Sequence, residues 1–157
     1  MKRITLISVF CLIFGLLVIF FVTMKNTFLT DNIDCRSVVK FHKDGQILSL
    51  SVNPKFFSGS GVITLSGVLY DADKPLGYIS KTVSFHYVKK GDIYQLKSEM
   101  ILNSPQSTMT EQQQTRWLPV FFSQSGKILN IEVNRQGLSG WIISAEAVPL
   151  YLCEKSD

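Results

Sequence analysis

The sequence has few of the residues on which enzymes and metal sites depend. Its 157 residues include only two histidines, His42 and His86, and three cysteines. It contains no HExxH, CxxC or GxSxG pattern, so the spacings typical of a zinc protease, a dithiol redox centre or an α/β-hydrolase are missing. We therefore expect a protein that is not an enzyme, and we assign no catalytic, cofactor-binding or metal-binding residues.

The few polar residues that draw attention have ordinary explanations. His42 and His86 each lie in a predicted strand, on the face opposite the apolar one, and Asp44 beside His42 gives at most two ligands of a metal site. Ser60 and Ser139 lie next to glycines, as residues of turns and strand edges do. No nucleophile, base and orienting group come together in this pattern.

Clustered positive charge is also lacking. The net charge is +4, from 16 basic and 12 acidic residues, and Lys2 and Arg3 at the N-terminus account for half of it. The remaining basic residues are scattered, without the stripe or the aromatic interleaving of a nucleic-acid interface. We therefore expect no nucleic acid among the partners.

One long apolar run is present. Residues 4–24 (ITLISVFCLIFGLLVIFFVTM) carry no charge, and a run of about 20 apolar residues is the length that spans a bilayer as a helix. A cleavable signal peptide has a shorter apolar core and ends at small residues, which residues 20–25 lack. The run therefore predicts an uncleaved signal-anchor in contact with the lipid bilayer.

The charges around this run predict its orientation. Lys2 and Arg3 precede it, and the positive-inside rule places them in the cytoplasm. We thus predict a cytoplasmic tail (1–3), a transmembrane helix (4–24), a stalk (25–34) and an outer β domain (35–157). This is the layout of a single-pass protein of a bacterial inner membrane with a periplasmic domain.

Alternating apolar residues beyond the stalk predict strands. We place them at 35–42, 47–52, 59–70, 76–88, 93–102, 117–122, 127–134 and 138–153, with Asn53-Pro54 ending the second and Pro149 interrupting the last. Gly61 and Gly67 indicate bends or bulges. Short hairpin links and the absence of βαβ alternation favour a mainly β domain, an antiparallel meander of seven to eight strands. It forms a curved sheet, a sandwich or a lipocalin-like barrel, and we favour the curved or barrel form.

The segment 103–116 (NSPQSTMTEQQQTR) interrupts the strand pattern because it has almost no apolar residues. A solvated crossover loop explains it, although loops of this length are often functional. A short helix over 110–115, capped by Ser107 or Thr108, is the alternative structure.

The two outer cysteines, Cys35 and Cys153, lie at the beginning and near the end of the β domain. In an oxidising compartment such a pair is usually bridged, so we predict a disulfide that ties the last strand to the first. Among the aromatic residues, Phe56-Phe57 lies between Pro54 and Ser58-Gly59 and is our candidate for an exposed apolar patch that contacts a partner or the membrane.

Taken together, the basic N-terminus, the single span, Cys35 soon after it, the β-rich domain and the closing Pro149-Leu150-Tyr151-Leu152-Cys153 resemble the FidL-like family of enterobacterial inner-membrane proteins. The resemblance implies an association with a membrane-bound transcription regulator of the ToxR type. By analogy with such pairs, it also implies a periplasmic β domain that joins the regulator's own and takes up bile-salt-like amphiphiles.

Three hypotheses follow. The first is a non-enzymatic accessory protein that binds a membrane protein partner, such as this kind of regulator. The second is a binding module for a small amphiphile, which requires an apolar pocket inside the β domain. The third is an envelope assembly factor.

Overall fold

The computed structural model describes residues 13–20, 33–137, 140–145 and 148–155. The chain divides into two units, Met1–Asn32 and Ile33–Asp157. In the first unit, residues 13–20 form a helical segment, α1, whose large apolar side chains are exposed. The remainder of the predicted tail and transmembrane helix, and residues 25–32 of the stalk, lie outside the described residues.

Within those ranges, no helix combines the length and the apolar character needed to cross a membrane.

The second unit is a closed antiparallel barrel in which each strand pairs with its sequence neighbours and the last returns to the first. This arrangement confirms the predicted β meander and selects the barrel, with eight strands, from the alternatives. The strands are β1 Cys35–Lys43, β2 Gln46–Phe57, β3 Ser60–Asp71, β4 Lys74–Lys90, β5 Ile93–Asn103, β6 Ile128–Gln136, β7 Gly140–Ala145 and β8 Val148–Lys155.

The barrel interior is built by strict alternation along the strands. Leu48, Leu50 and Val52 of β2 point inward, as predicted, and are at most 7 % exposed. Burial of each such side chain stabilises the fold by about 2–3 kcal/mol relative to leaving it in water. An aromatic cluster fills part of the interior, with ring centroids 5.2–5.6 Å from Phe56 to the rings of Phe85, Tyr87 and Tyr94.

Strand β2 continues past Asn53-Pro54, so the predicted end of this strand is wrong. Pro54 pairs with Ile63 of β3 within the ladder. The amide of Phe56 donates to the Ile33 carbonyl, on the β1 side of the strand, at 2.7 Å. In a strand, the backbone amides of residues two apart point to the same side. The amide that Pro54 lacks would therefore face the β1 side, as that of Phe56 does, and the hydrogen bonds between β2 and β3 are all kept.

The predicted strand at 117–122 is also wrong. The chain there forms the end of a helix, α2 (Glu111–Trp117), followed by a 3₁₀ helix, η1 (Val120–Phe122). A short apolar run is compatible with a buried strand and with a buried helical turn, and its composition does not distinguish them. Here the run forms a helical turn in which Phe121 and Phe122 are buried.

The predicted long strand at 138–153 is in fact two strands, β7 and β8, paired from Gly140↔Glu154 to Ala145↔Val148. The sequence Glu146-Ala147 between them has no Gly, Asn, Asp or Pro, the residues that usually mark a hairpin turn. This is why the sequence pattern did not separate the strands.

In the 103–116 segment the alternative structure, a short helix, is present as α2, so the crossover loop that we favoured accounts for only part of the segment. The cap of α2 is Thr110, and not Ser107 or Thr108 as predicted. The Gln113 amide donates to the Thr110 hydroxyl at 3.2 Å, and the Thr110 amide donates to Oε1 of Gln113 at 2.8 Å. This reciprocal capping box begins the helix one residue later than expected.

Gly61 and Gly67 lie where neighbouring strands approach most closely. A Cβ at Gly67 would lie 2.4 Å from the carbonyl oxygen of Ser49, and one at Gly61 would lie 2.6 Å from that of Lys55. The predicted bulges at these glycines are wrong, because the register shifts instead between Leu69 and Tyr70. The glycines are required for close backbone contact across β2 and β3.

The predicted disulfide between Cys35 and Cys153 is confirmed, with the two Cα atoms 5.5 Å apart. Both cysteines are fully buried. The bridge spans 118 residues of sequence and lies beside the two residue pairs that join β1 to β8, Cys35↔Lys155 and Arg36↔Glu154. It thus reinforces the closure of the barrel.

We expect the double variant Cys35→Ala/Cys153→Ala to unfold more easily than the wild type. The chain-entropy model assigns a loop of this length about 4–5 kcal/mol. Urea unfolding of the full chain in lipid nanodiscs, followed by far-UV circular dichroism, measures the loss. The variant Cys11→Ala, which removes the third cysteine, serves as the control, and equal stability of all three proteins would contradict the prediction.

Candidate functional site

The barrel interior contains an apolar cavity of about 110 Å³ beside the aromatic cluster. Its walls come from β1, β2, β3, β6, β7 and β8, and the chain between α2 and η1 covers it with Trp117, Leu118, Pro119 and Phe122. Among the described lining residues, the side chains are apolar apart from two polar groups, the hydroxyl of Tyr151 and the indole N–H of Trp117. This arrangement can hold a small apolar molecule and exclude water from it.

Hydrogen bonds and an ion pair hold the covering segment against the barrel. The Arg116 guanidinium at the end of α2 pairs with the Asp44 carboxylate in the β1–β2 turn. Within the segment, the buried amide of Gln114 donates from Nε2 to the Met109 carbonyl at 2.9 Å, and the Met109 amide donates to the carbonyl of Tyr78 in β4 at 3.0 Å. These contacts fix Trp117 and its neighbours above the cavity.

Lys81 anchors the other end of this segment. Its side chain points inward from β4 and is only 3 % exposed, and Nζ donates to the carbonyl of Phe122, the last residue of η1, at 2.9 Å. Burial lowers the pKa of Lys81, and the Glu111 carboxylate nearby opposes part of this effect. A cation at the carbonyl end of a helical turn is electrostatically favourable, so Lys81 holds the cover in place.

Tyr151 brings a hydroxyl group to the cavity wall. It lies on β8 opposite Ile143 of β7, and its hydroxyl has no hydrogen-bond partner among the described residues. Burial raises the pKa of Tyr151 to about 12, so the hydroxyl keeps its proton at neutral pH. The Tyr151 side chain is partly exposed, so its hydroxyl is available to a polar atom of a ligand that enters the cavity.

The cavity borders a gap between the first and last strands. The described residues of β1 and β8 pair only at Cys35↔Lys155 and Arg36↔Glu154, so residues 37–43 and 148–153 face each other without ladder bonds. We call these facing edges the β1–β8 seam. The lining residues Val39 and Phe41 of β1 and Tyr151 of β8 are partly exposed, whereas those of β2 and β3 are buried.

The pairing between β5 and β6 is also short, but there the neighbouring chain bonds to the strand edge that is left unpaired. Strands β5 and β6 pair only from Ile93 to Lys97, but beyond this point the chain that follows η1 bonds to β5. The Ser98 amide donates to the Lys127 carbonyl at 2.9 Å, and the Gly126 amide donates to the Ser98 carbonyl at 2.8 Å. Trp117 and Pro119 of the cover and Ala145 of β7 are also partly exposed, but the β1–β8 seam is where partly exposed lining residues lie beside strands that lack ladder bonds.

The structure corrects the predicted aromatic patch. Phe56 is fully buried and lines the cavity, whereas Phe57 is 52 % exposed. The two residues are consecutive in β2, and consecutive side chains of a strand point to opposite faces. Only Phe57 is therefore available on the outer surface.

The two histidines lie apart and outside the barrel. His86 is exposed, with Nε2 2.9 Å from Oε1 of Glu99, and His42 is exposed at the end of β1. In the described part of the chain, no three His, Cys, Asp or Glu side chains are grouped as metal ligands. Of the two serines considered above, Ser60 begins β3 and Ser139 lies outside the described residues.

Sequence reasoning missed Tyr151 and Lys81, although the alternation contained a signal for both. Tyr151 precedes Cys153 by two residues, so a disulfide at Cys153 that points inward places Tyr151 inward too. Lys81 precedes Val83 and Phe85 in the same phase of β4. In both cases a polar residue occupies a strand position that the alternation assigns to the inward, apolar face.

Residues 32–153 match the family of the YqeJ C-terminal domain. The match covers most of the chain and the whole barrel except its last residues, so the chain belongs to this family. No curated protein matches the sequence.

The raised pKa of Tyr151 gives a testable pH dependence. The unfolded chain has a tyrosine pKa near 10 and the folded chain about 12, so the unfolded state loses its proton first. The free energy of unfolding should therefore fall by about 2–3 kcal/mol as the pH rises from about 10 to about 12.

Urea unfolding of the wild type and of Tyr151→Phe at a series of alkaline pH values isolates this contribution, because the variant lacks the group. The exposed Tyr78 offers a matched control in Tyr78→Phe. An identical pH dependence of wild type and Tyr151→Phe would contradict the assignment.

Proposed function

We propose that this member of the YqeJ C-terminal domain family is a non-enzymatic accessory protein of the bacterial inner membrane whose barrel binds a small, largely apolar molecule. The observation that carries this proposal is the cavity of about 110 Å³, whose walls are mostly apolar and include the hydroxyl-bearing side chain of Tyr151. Ligand sites generally have this character, being concave and mostly apolar with few polar groups. An interior filled by side chains would have argued against it.

The membrane location is supported by the first unit of the chain. Four apolar side chains of α1, those of Ile13, Phe14, Leu16 and Leu17, are 49–64 % exposed. The uncharged sequence 4–24 that contains them has the length of a bilayer span. We propose that residues 4–24 anchor the chain, with the N-terminus in the cytoplasm and the barrel in the periplasm, where the disulfide is stable.

Uptake of a ligand through the β1–β8 seam follows from the partly exposed lining residues beside its unbonded strands. The seam offers a lateral path from solvent to the cavity that avoids the bonded strands and the α2–η1 cover. An amphiphile such as a bile-salt-like molecule, which the resemblance to the FidL-like family implies, is one class of occupant to test.

We expect toluene, a probe of benzene size, to bind saturably to the full chain in lipid nanodiscs. Trp117 lines the cavity, so its fluorescence reports binding in a Trp141→Phe background that leaves it as the sole tryptophan. The substitution Ala145→Leu adds volume to the cavity wall and should abolish the response.

Val38→Leu provides the matched control, because Val38 is exposed on the outer face beside the seam. It should bind the probe as the wild type does. Absence of a saturable response in the wild type to toluene and to phenol alike would contradict the ligand-binding function.

A membrane protein partner is the second candidate function, and the open edges of β1 and β8 favour it. Unpaired strand edges bind extended segments of other proteins by adding a strand. A single-span regulator of the ToxR type, implied by the same resemblance, is the partner we propose. An envelope assembly factor would use the same edges on other clients.

Site-specific photo-cross-linking in living cells tests this candidate. A photoreactive residue in place of Val38, at the seam, should capture a single-span membrane protein with a cytoplasmic DNA-binding domain. The same residue in place of Met100, which is also exposed, on β5, should not capture it. Equal capture from both positions, or none from Val38, would argue against partner binding at the seam.

A further inference from the structure

We infer that the occupant of the cavity is an uncharged molecule with a single aromatic ring and one hydrogen-bonding oxygen, which the Tyr151 hydroxyl recognises. This inference rests on the proposed ligand-binding function and specifies the chemistry of the ligand. Four properties of the described cavity carry it: its volume, the absence of charge, the aromatic walls and the single hydroxyl.

The volume limits the ligand to about one ring. An engineered protein cavity of about 150 Å³ lined by Leu, Ile and Phe binds benzene, and the cavity in this barrel is about 110 Å³. A four-ring steroid skeleton is several times larger. It would have to displace the segment that Lys81 and Arg116 hold over the cavity.

The charge of the ligand follows from the lining. No described side chain that lines the cavity carries a charge. The buried ammonium of Lys81 is not part of the lining, and it donates to the Phe122 carbonyl. A carboxylate or an ammonium group in the cavity would lose its hydration without gaining a counter-ion, so such ligands are disfavoured.

The walls favour a flat ring. Five of the lining side chains are aromatic: Phe41, Phe56, Trp117, Phe122 and Tyr151. Aromatic rings attract one another in edge-to-face and offset arrangements beyond the simple effect of burial. Phe56 already makes such contacts with Phe85 and Tyr94 on its other side, with interplanar angles of 66° and 81°.

The position of Tyr151 selects the polar atom. Its hydroxyl is the one side-chain oxygen among the described lining residues; the other polar group, the indole N–H of Trp117, can only donate a hydrogen bond. It can donate a hydrogen bond to an oxygen of the ligand or accept one from a ligand hydroxyl. One such group on an otherwise apolar ring satisfies the tyrosine and leaves no other polar atom buried.

Phenol and toluene differ only in this group and therefore test the inference. Both are titrated into the full chain in lipid nanodiscs, with Trp117 as the sole tryptophan, in the wild-type background and in Tyr151→Phe. Empty nanodiscs correct for partition into lipid. The loss of one buried hydrogen bond should weaken phenol binding by about 3- to 10-fold, and toluene binding should stay within about twofold.

Tyr78→Phe, on the outer face of the barrel, should leave the affinity for phenol unchanged. Benzoate and cholate, titrated in the same way, should give no saturable response. The inference is overturned if Tyr151→Phe weakens phenol and toluene by the same factor, or if benzoate or cholate binds more tightly than phenol. Either result leaves the cavity as a ligand site, whereas failure of phenol and toluene alike would remove the proposed function itself.

Discussion

The limited closure between β1 and β8 is the constraint on which the rest of this barrel depends. An eight-stranded barrel is just wide enough for its own side chains to fill or for one small ligand, so its interior is reached either through an end of the barrel or through an unpaired part of its wall. Here two residue pairs and the Cys35–Cys153 bridge hold one end of the β1–β8 seam. Beyond them the strands face each other without ladder bonds. The bridge therefore keeps the barrel closed as a whole and permits an opening along one side.

The barrel interior has two parts, a packed aromatic cluster and a cavity that lies next to the β1–β8 seam. Phe56, Phe85, Tyr87 and Tyr94 pack tightly together with ring centroids 5.2–6.4 Å apart. The space beside them remains unfilled, next to the seam. The segment from α2 to η1 covers this space because Arg116 and Lys81 hold it at its two ends. Binding in such a site requires no rearrangement of the bonded strands.

Much of the fold could be predicted from the sequence, because the alternation of apolar and polar residues in β2 and β4 is a local pattern. The disulfide could be predicted because Cys35 and Cys153 lie at the two ends of a domain that we expect in an oxidising compartment. The wrong predictions also have physical causes. Strand β2 does not end at Pro54, because the amide that Pro54 lacks would face away from β3 and no hydrogen bond of that ladder is lost. Residues 117–122 are not a strand, because their apolar side chains are buried equally well by a helical turn. The cavity could not be predicted, since it depends on how side chains from six strands fill one space. The one sequence signal for Tyr151 and Lys81 was that each is a polar residue at a position of its strand where the alternation predicts an inward-facing apolar residue.

Amide hydrogen exchange along β1 and β2, measured by NMR on the full chain in lipid nanodiscs, tests the open seam most directly. A strand paired on both sides has consecutive protected amides, whereas an edge is protected only at every second residue. We expect the alternating pattern over residues 37–43 of β1 and continuous protection through residues 47–52 of β2. Continuous protection over residues 37–43 would mean that β1 and β8 form a complete ladder, and it would contradict the proposed path to the cavity.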